Sequence, residues 1–462
     1  MEAMAGVTHA RGRWPFYGPL YGPLYGPLYG PLYGPLYGLL CSLVCGLLAG
    51  CPSEEGAQPA SRPASAGTGT ATPGPAKPPK HYLGMMSLGG TIALTLDAPA
   101  PGRVTLRFAD SPFGLHGSVV GHYMPDGDGY VVTSLEADAA DPPPGHVVSQ
   151  LGELEVAFRV GDDRLGDDPL GGDRLGGDIA NLPASALPGA ARLAGLIHAT
   201  SLAALPAMAD IAGDYAFVMT HVDRAEGDLS PVHGSNQAAA GQARITADGR
   251  LAICRGQDYR DHCTAPDTGE PAPGATLHPA DQTRYPGAFE LRADGEVAGR
   301  VFLSRDGDAW TLFIDQQQSL GGKLDLGAWV LRSARPLRDG ALSGNWSCRQ
   351  PDVSFSVLAG AQLSGAMAGH SLWIDGGTVA TGRVPGIVSD LSLNAAFGNF
   401  SETRPASVGG LAHVKWFDPP IQPHTELIRE QVLMPLGDTH LIYLNEMRRD
   451  VDSVVWGACH KM

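Results

Sequence analysis

Short runs of alternating apolar and polar residues, separated by tight-turn dipeptides, recur along the chain from residue 81. In one of them Ile245 and Leu251 lie on either side of Asp248-Gly249, and Asp294-Gly295 repeats the turn signal. Such alternation is typical of half-buried antiparallel strands, and Gly tolerates the positive φ that a tight hairpin turn requires. We therefore predict a mainly β protein built from hairpins.

The arrangement of these runs limits the architecture further. Strands and long helices do not alternate, which argues against a parallel α/β sheet. The best helical stretch, 184–209, is limited to short pieces by prolines such as Pro188 and Pro206. The prediction is a series of antiparallel β-meander, barrel-like or sandwich domains.

The composition and net charge of the chain limit the kinds of molecule that it can bind. The chain has 462 residues, of which 43% are hydrophobic, enough for roughly three domain cores. Its 62 Gly and 38 Pro indicate many turns. The net charge of −16 argues against non-specific nucleic-acid binding, which needs clustered Lys and Arg. We predict no nucleic-acid partner.

The N-terminal region has the features of an export signal. Arg11 and Arg13 precede an uncharged apolar run at 39–50, which is too short to span a bilayer but fits a signal-peptide core. The run ends in Leu-Ala-Gly-Cys51, which resembles the lipobox of bacterial lipoproteins. The resemblance implies cleavage before Cys51, diacylglyceryl attachment to its sulfur and palmitate-type acylation.

This resemblance implies an exported protein anchored in the bacterial cell envelope, with the membrane as its partner through lipid on Cys51. Pro52 in place of Asp favours the outer membrane. The Tyr-Gly-Pro-Leu repeats at 17–36 are interpreted as an expanded repeat in a discarded leader or as a start codon placed too far upstream; a Pro-rich recognition motif is the alternative.

Two segments of the body open alike, with Gly213-Asp-Tyr215 and Gly344-Asn-Trp346. A Gly-x-aromatic sequence at the start of a first strand resembles the opening motif of lipocalin-type barrels, in which the ring plugs one end. The predicted divisions are 1–50, signal peptide with repeats; 51–80, lipidated Cys and disordered tether; 81–180, β-domain 1 with an acidic Gly/Asp repeat loop at 161–178; 181–209, connector with short helical pieces; 210–335, β-domain 2; and 341–462, β-domain 3. The middle domain, from Gly213-Asp-Tyr-Ala-Phe217 through a Gly-rich strand to two nearby cysteines, looks like uncharacterised β-rich proteobacterial surface lipoproteins, and this implies no activity.

Four of the seven cysteines lie beyond the lipobox, and an even number in an exported protein favours disulfides. They are Cys254, Cys263, Cys348 and Cys459. Of the three possible pairings we favour 254–263 and 348–459. The alternative is metal ligation, because His262 and His460 adjoin cysteines, but no C-x₂-C spacing supports it. We predict no metal site and no cofactor.

One sequence resembles a catalytic motif. Gly369-His-Ser371-Leu-Trp373 resembles the Gly-x-Ser-x-Gly nucleophile elbow of lipases, with Trp373 in place of the last Gly. The base and its orienting acid would come from His413, His424 or His440 with Asp418 or Asp438. Because Trp would obstruct the sharp turn, a strand serine is favoured, and we assign no catalytic residue.

The acidic run at 161–178 repeats every five residues and places Gly between aspartates. Its oxygens could bind Ca²⁺, and it faintly resembles the calcium nonapeptide repeats of secreted toxins. A period of five cannot stack ligands as those repeats do, so we favour a solvated loop. The functional prediction is a non-enzymatic binding or structural role at the cell surface or in the periplasm. The alternatives are a lipocalin-like binder of a small apolar ligand and a hydrolase centred on Ser371.

Overall fold

The computed structural model describes most of the chain after residue 77. The described residues are 78–97, 101–161, 174–184, 192–201, 203–227, 229–230, 232, 237–256, 259, 274–356, 360–381, 388–396, 406–417, 427–447 and 454–462. These residues form three eight-stranded antiparallel sheets that follow one another along the chain.

The first sheet is a closed barrel, which we call barrel 1. Its strands, each paired with the next and the last with the first, are β1 (Lys80–Met86), β2 (Thr91–Leu96), β3 (Gly102–Asp110), β4 (Gly117–Asp126), β5 (Gly129–Ala137), β6 (Glu155–Val160), β7 (Arg174–Pro183) and β8 (Arg192–Thr200). On β3, Val104, Leu106 and Phe108 are buried while Arg103 and Arg107 are exposed. The period-two pattern thus fills this barrel with apolar side chains. Between β5 and β6 lie helix α1 (Gly145–Val148) and a 3₁₀ turn (Leu151–Glu153).

The second sheet, barrel 2, is also closed, and helix α2 (Met208–Ile211) precedes it. Its strands are β9 (Gly213–Ala225), β10 (Gln237–Ile245), β11 (Arg250–Arg255), β12 (Ala275–Pro279), β13 (Phe289–Ala293), β14 (Glu296–Asp306), β15 (Ala309–Leu320) and β16 (Lys323–Ser333). β9 pairs with both β10 and β16 and so closes the ring.

The third sheet, barrel 3, has the order β19-β18-β17-β24-β23-β22-β21-β20. Its strands are β17 (Gly344–Ser356), β18 (Gly360–Asp375), β19 (Thr378–Thr381), β20 (Val388–Ala396), β21 (Ala406–Phe417), β22 (Leu427–Pro435), β23 (His440–Met447) and β24 (Val454–Lys461). The two edge strands meet through side-chain and turn contacts, because Val379 N donates to Ser389 Oγ at 2.8 Å and Leu391 N donates to Gly377 O at 2.8 Å. The sheet therefore curls into a barrel-like shape. This architecture confirms the predicted fold class of successive antiparallel β domains.

Part of the predicted organisation is wrong. The segment 181–209, expected to be a connector with short helical pieces, contains β8 and the end of β7. Almost every β8 residue is buried, and its central part, 193–197, is Leu-Ala-Gly-Leu-Ile, which has no alternation of apolar and polar residues. Such a run cannot be distinguished from a helix by periodicity. Likewise, residues 174–178 of the predicted acidic loop belong to β7, and 162–173 lie outside the described residues.

The two opening motifs have matching geometry. Tyr215 at the start of β9 donates its hydroxyl hydrogen to Ile211 O at 2.5 Å. Trp346 at the start of β17 donates its indole N–H to Leu342 O at 2.8 Å. Both rings are buried, and in each motif the preceding Gly has a positive φ. Each aromatic ring is thus buried near the start of the first strand of its barrel.

Residues 77–462 form one compact unit, and the barrels contact one another inside it. Asp315 of barrel 2 accepts hydrogen bonds from Gly90 N at 2.9 Å and the Thr91 hydroxyl at 2.8 Å in barrel 1. Trp456 of barrel 3 donates to Thr220 Oγ1 of barrel 2 at 2.6 Å. Buried polar contacts therefore fix how the barrels pack together.

Candidate ligand-binding site in barrel 3

The interior of barrel 3 divides into an apolar half and a polar half. The apolar half holds Trp346, Leu372 and Leu441 together with the disulfide between Cys348 and Cys459. The polar half lies at the opposite ends of the same strands. Its side chains come from five strands and are Gln350 on β17, His370 on β18, Trp416 on β21, Arg429 and Gln431 on β22, and Tyr443 and Asn445 on β23. We call this group the polar cluster.

The register of the paired strands places the side chains of the polar cluster next to one another. Arg429 pairs with Trp416 on β21, and Gln431 pairs with Asn445 on β23. Strand residues two apart face the same side of a sheet, so Arg429 and Gln431 point into the interior that Leu433 lines further along β22. The strand connections at this end, 357–359, 382–387, 418–426 and 448–453, lie outside the described residues.

Gln350 is the centre of a short hydrogen-bond network. Its Oε1 accepts the hydroxyl hydrogen of Tyr443 at 2.8 Å and an amide hydrogen of Asn445 at 3.1 Å. The Tyr443 hydroxyl also lies 3.4 Å from Nε2 of His370. These contacts hold the side chains of Gln350, Tyr443 and Asn445 in fixed orientations.

Several buried atoms of the polar cluster have no hydrogen-bond partner among the described residues. They are Gln431 Oε1, Asn445 Oδ1, Trp416 Nε1 and Arg429 Nε. Gln431 and Asn445 are only 1% and 4% exposed. Burying an amide oxygen without a partner costs about 1–3 kcal/mol, so native structures rarely tolerate several in one place. The cluster therefore has the hydrogen-bonding capacity of a binding site.

The polar cluster carries a positive charge on the partly buried guanidinium of Arg429. The guanidinium carbon of Arg429 lies 4.5 Å from the centre of the Trp416 ring, and no carboxylate among the described residues forms an ion pair with it. Burial lowers the pKa of Arg429. Burial, with a smaller contribution from Arg429, lowers the pKa of His370 to about 4, so this histidine is neutral at pH 7. Among the described residues of the polar cluster, Arg429 therefore carries the one positive charge.

Barrel 2 holds a second polar group, His221, Asp223 and Asp325, whose donor atoms lie within 4.8 Å of one another. His221 Nδ1 is 2.6 Å from Asp325 Oδ1, and its Nε2 is 3.4 Å from Asp223 Oδ1. Burial alone would lower the pKa of His221, but the two carboxylates outweigh it and raise the pKa to about 9. The ring is therefore an imidazolium at pH 7.

Imidazole and carboxylate groups such as these can bind zinc or manganese, but their arrangement here fits an ion pair better. Each ring nitrogen of His221 faces a different carboxylate, whereas a metal ion binds one ring nitrogen. Gln316 donates to Asp325 at 2.8 Å and accepts from Trp329 at 2.7 Å, which fixes that carboxylate. We interpret the group as a buried ion-pair network of barrel 2.

The structure does not assemble the hydrolase candidate. Ser371 is exposed in the middle of β18, opposite Ser347, and no strand-to-helix turn follows it. Trp373, at the position of the last elbow Gly, is 50% exposed. His413 is buried on β21, 3.2 Å from Glu430, and β21 is not a neighbour of β18 in the sheet.

The remaining catalytic candidates are not brought to Ser371 either. His424 and Asp418 lie outside the described residues. His440 lies on β23, and burial, with contributions from Arg174 and Arg159, lowers its pKa to about 4. Asp438 lies in the turn before β23.

The predicted cysteine sites fall into three groups. Cys348 and Cys459 lie opposite each other on β17 and β24 and form a disulfide. Cys254 is buried on β11, and its expected partner Cys263 lies outside the described residues, so that pairing stays a prediction. Cys51 also lies outside them.

The helices that the structure describes are all too short or too polar to span a lipid bilayer.

The acidic run has one described aspartate, and it has a structural role. Asp178 on β7 binds Arg349 of barrel 3 through two contacts, at 2.8 Å and 3.0 Å. This pair spans barrels 1 and 3 and leaves the carboxylate engaged.

The sequence did not predict the polar cluster of barrel 3, although polar residues at interior positions of β22 were a visible signal.

Comparisons with known proteins give a limited result. No family model matches the chain, and no curated protein matches it. One solved structure is similar, a protein of unknown function of the DUF3598 family from Nostoc punctiforme. The match covers 55% of this chain and 98% of that chain, with 10% identity and a TM-score of 0.18. No functional inference follows from a likeness this weak.

Proposed function

We propose that the protein is an exported lipoprotein, anchored through Cys51, that binds a small molecule non-enzymatically in the polar half of barrel 3. The observation that carries the binding proposal is the set of buried, unpartnered polar atoms in the polar cluster. A barrel interior is a common place for ligand sites, which combine an apolar enclosure with a few convergent polar groups. The polar lining favours a polar ligand over the apolar one considered from sequence.

The anchoring part of the proposal depends on the lipobox and is tested separately. Cys51→Ala should move the protein from the membrane fraction to the soluble fraction, because the acyl chains supply the membrane affinity. Cys45→Ala, a neighbouring cysteine of the same apolar run, is the matched control and should leave the protein in the membrane fraction. An unchanged distribution of the Cys51 variant would refute lipid anchoring.

The binding part predicts an opposition between stability and binding at Gln431. Gln431→Leu removes a buried acceptor that lacks a partner, so the thermal midpoint should stay the same or rise. The same variant should lose the stabilisation that bound compounds give the wild type in a thermal-shift screen of small acids, amines and alcohols. If no compound stabilises the wild type, the barrel is not a binding site for these classes.

A further inference from the structure

We infer that the ligand of barrel 3 is a small carboxylate that also carries N–H or O–H groups close to the carboxylate. This inference rests on the proposed binding function of the barrel and specifies the chemistry of what it holds. It follows from the three kinds of polar atom that the cluster leaves without partners among the described residues: the guanidinium Nε of Arg429, two amide oxygens and an indole N–H.

Arg429 supplies the charge argument. A guanidinium removed from water requires an anion or strong hydrogen bonds, and no described carboxylate forms an ion pair with Arg429. Trp416 covers one face of its plane. Stacking on an aromatic ring leaves the N–H edge of a guanidinium accessible, and that edge matches the two oxygens of a carboxylate.

Gln431 and Asn445 supply the second requirement. Their buried carbonyl oxygens accept hydrogen bonds and would repel a bare anion, so they favour a ligand that brings donors with it. They lie opposite each other in register on β22 and β23, and Gln431 is two residues from Arg429 on the same face. The carboxylate and donors of an α-hydroxy or α-amino acid are similarly close together.

The size of the ligand is limited by the apolar half of the barrel. Trp346, Leu372 and Leu441 are each 1% exposed, so the interior is filled below the polar cluster. A long acyl chain has no described space there. The inference is therefore restricted to small acids and excludes extended fatty acids as the preferred ligands.

Calorimetric titration of the full chain in detergent with two acids, their amides and hexanoate tests the inference. The acids are L-leucine and mandelate, and each amide keeps the donors and removes the anionic oxygens. At least one acid should bind at least about 10-fold more tightly than its amide, the loss expected when a charged hydrogen-bonded pair is removed. Hexanoate, a carboxylate without a neighbouring donor, should bind more weakly than that acid.

Variants assign the effect to the site. Arg429→Gln should weaken binding of the acid by about 10- to 100-fold and abolish its preference over the amide. Arg244→Gln, which removes an exposed arginine paired with Asp214 in barrel 2, is the control and should leave binding unchanged. If Arg429→Gln fails to fold, the comparison of acid with amide on the wild type still decides.

The outcomes separate this inference from the proposed function. If the amides bind as tightly as the acids, or Arg429→Gln keeps the preference for the acid, the carboxylate inference is overturned while barrel 3 remains a binding site. If no probe binds but neutral compounds stabilise the wild type through Gln431, the carboxylate inference alone fails. If no probe binds and no neutral compound stabilises the wild type, the carboxylate inference and the proposed binding function both fail.

Discussion

At the scale of single residues, Gly457 determines where the side chain of Tyr443 can lie. A Cβ atom at Gly457 would lie 1.8 Å from Cζ of Tyr443, far inside van der Waals contact. The tyrosine ring packs across β24 because glycine leaves that space open, and its hydroxyl then reaches Gln350 at 2.8 Å. The backbone of β24 thus contributes to the geometry of the polar cluster.

We expect Gly457→Ala to displace Tyr443 and lower the free energy of unfolding by about 1–3 kcal/mol, the usual cost of overpacking. Urea unfolding measures this loss. Gly369→Ala on β18 is the matched control, because a Cβ there would have its nearest neighbour at 3.9 Å, an ordinary contact. Equal stability of the two variants would show that the ring does not depend on Gly457.

The individual residues of the binding site could not be assigned from sequence. Gln431 and Arg429 alternate with their neighbours like residues on the solvent face of a strand, and only the register with β21 and β23 shows that they point inward. The arrangement is not visible in the sequence because its members are distant from one another along the chain. Gln350 and Asn445 lie 95 residues apart yet share a hydrogen bond. Single-strand patterning cannot specify such a site.

At the scale of elements, the pair formed by β9 and β16 is held by a charge as well as by backbone hydrogen bonds. Asp223 pairs in register with Asp325, and the His221 imidazolium lies between these carboxylates. Two neighbouring buried carboxylates without that cation would repel each other. The stability of this strand pair should therefore depend on the protonation of His221.

The sign of this dependence follows from the pKa of His221, which the two carboxylates raise from 6.5 to about 9 against the effect of burial. The stabilisation is fully present below pH 6.5 and is lost as pH rises through about 9. A shift of this size corresponds to roughly 2–4 kcal/mol. Urea unfolding midpoints measured from pH 6 to pH 9.5 should fall across this window.

An exposed histidine is the control for that experiment. His116→Gln should keep the same fall in the unfolding midpoint, because the His116 side chain is exposed and bonds only a neighbouring carbonyl among the described residues. A wild-type midpoint that stays constant between pH 6.5 and 9.5 would contradict the assignment of a buried imidazolium.

Hairpins were the elements that the sequence predicted best. Asp248-Gly249 and Asp294-Gly295 each lie between two consecutive paired strands. Such turns can be predicted because a dipeptide turn is specified by the residues that form it. β8 was missed for the opposite reason. Its burial on both faces comes from packing against distant parts of the chain, and this removes the alternation that identifies a strand.

At the scale of the whole molecule, contacts between barrels join the compact unit. Asp315, which is 1% exposed, accepts from Gly90 and Thr91 of barrel 1 and from Gln317 of its own strand at 2.8 Å. Burial raises the pKa of this carboxyl, and its hydrogen bonds oppose that rise. A buried carboxylate that is this well bonded should couple the unfolding of barrels 1 and 2.

Asp315→Asn is expected to lower the stability of the unit, because an amide offers one acceptor oxygen where the carboxylate offered two and leaves a buried donor unpaired. The cost should be about 1–3 kcal/mol. Scanning calorimetry should show a lower midpoint, with barrels 1 and 2 beginning to separate into distinct transitions. Asp308→Asn, at an exposed aspartate paired with Arg335, is the control and should keep the wild-type midpoint.

The order of three β domains along the chain was accessible from sequence, since Tyr215 and Trp346 lie at the start of the first strands of barrels 2 and 3. Their packing into one unit was not, because it depends on side chains on the outer faces of the barrels, such as Asp315 and Trp456. On a sequence, such residues resemble ordinary solvent-facing polar or aromatic positions.

The central claim is that the polar half of barrel 3 binds a ligand, and indole NMR tests it most directly. Trp416 has its N–H in the polar cluster, whereas the N–H of Trp346 is bonded to Leu342 O in the apolar half. In ¹⁵N-indole spectra assigned with Trp416→Phe, adding the binding acid should shift the Trp416 resonance and leave that of Trp346 in place. A saturating titration in which the Trp416 resonance does not move would contradict the claim.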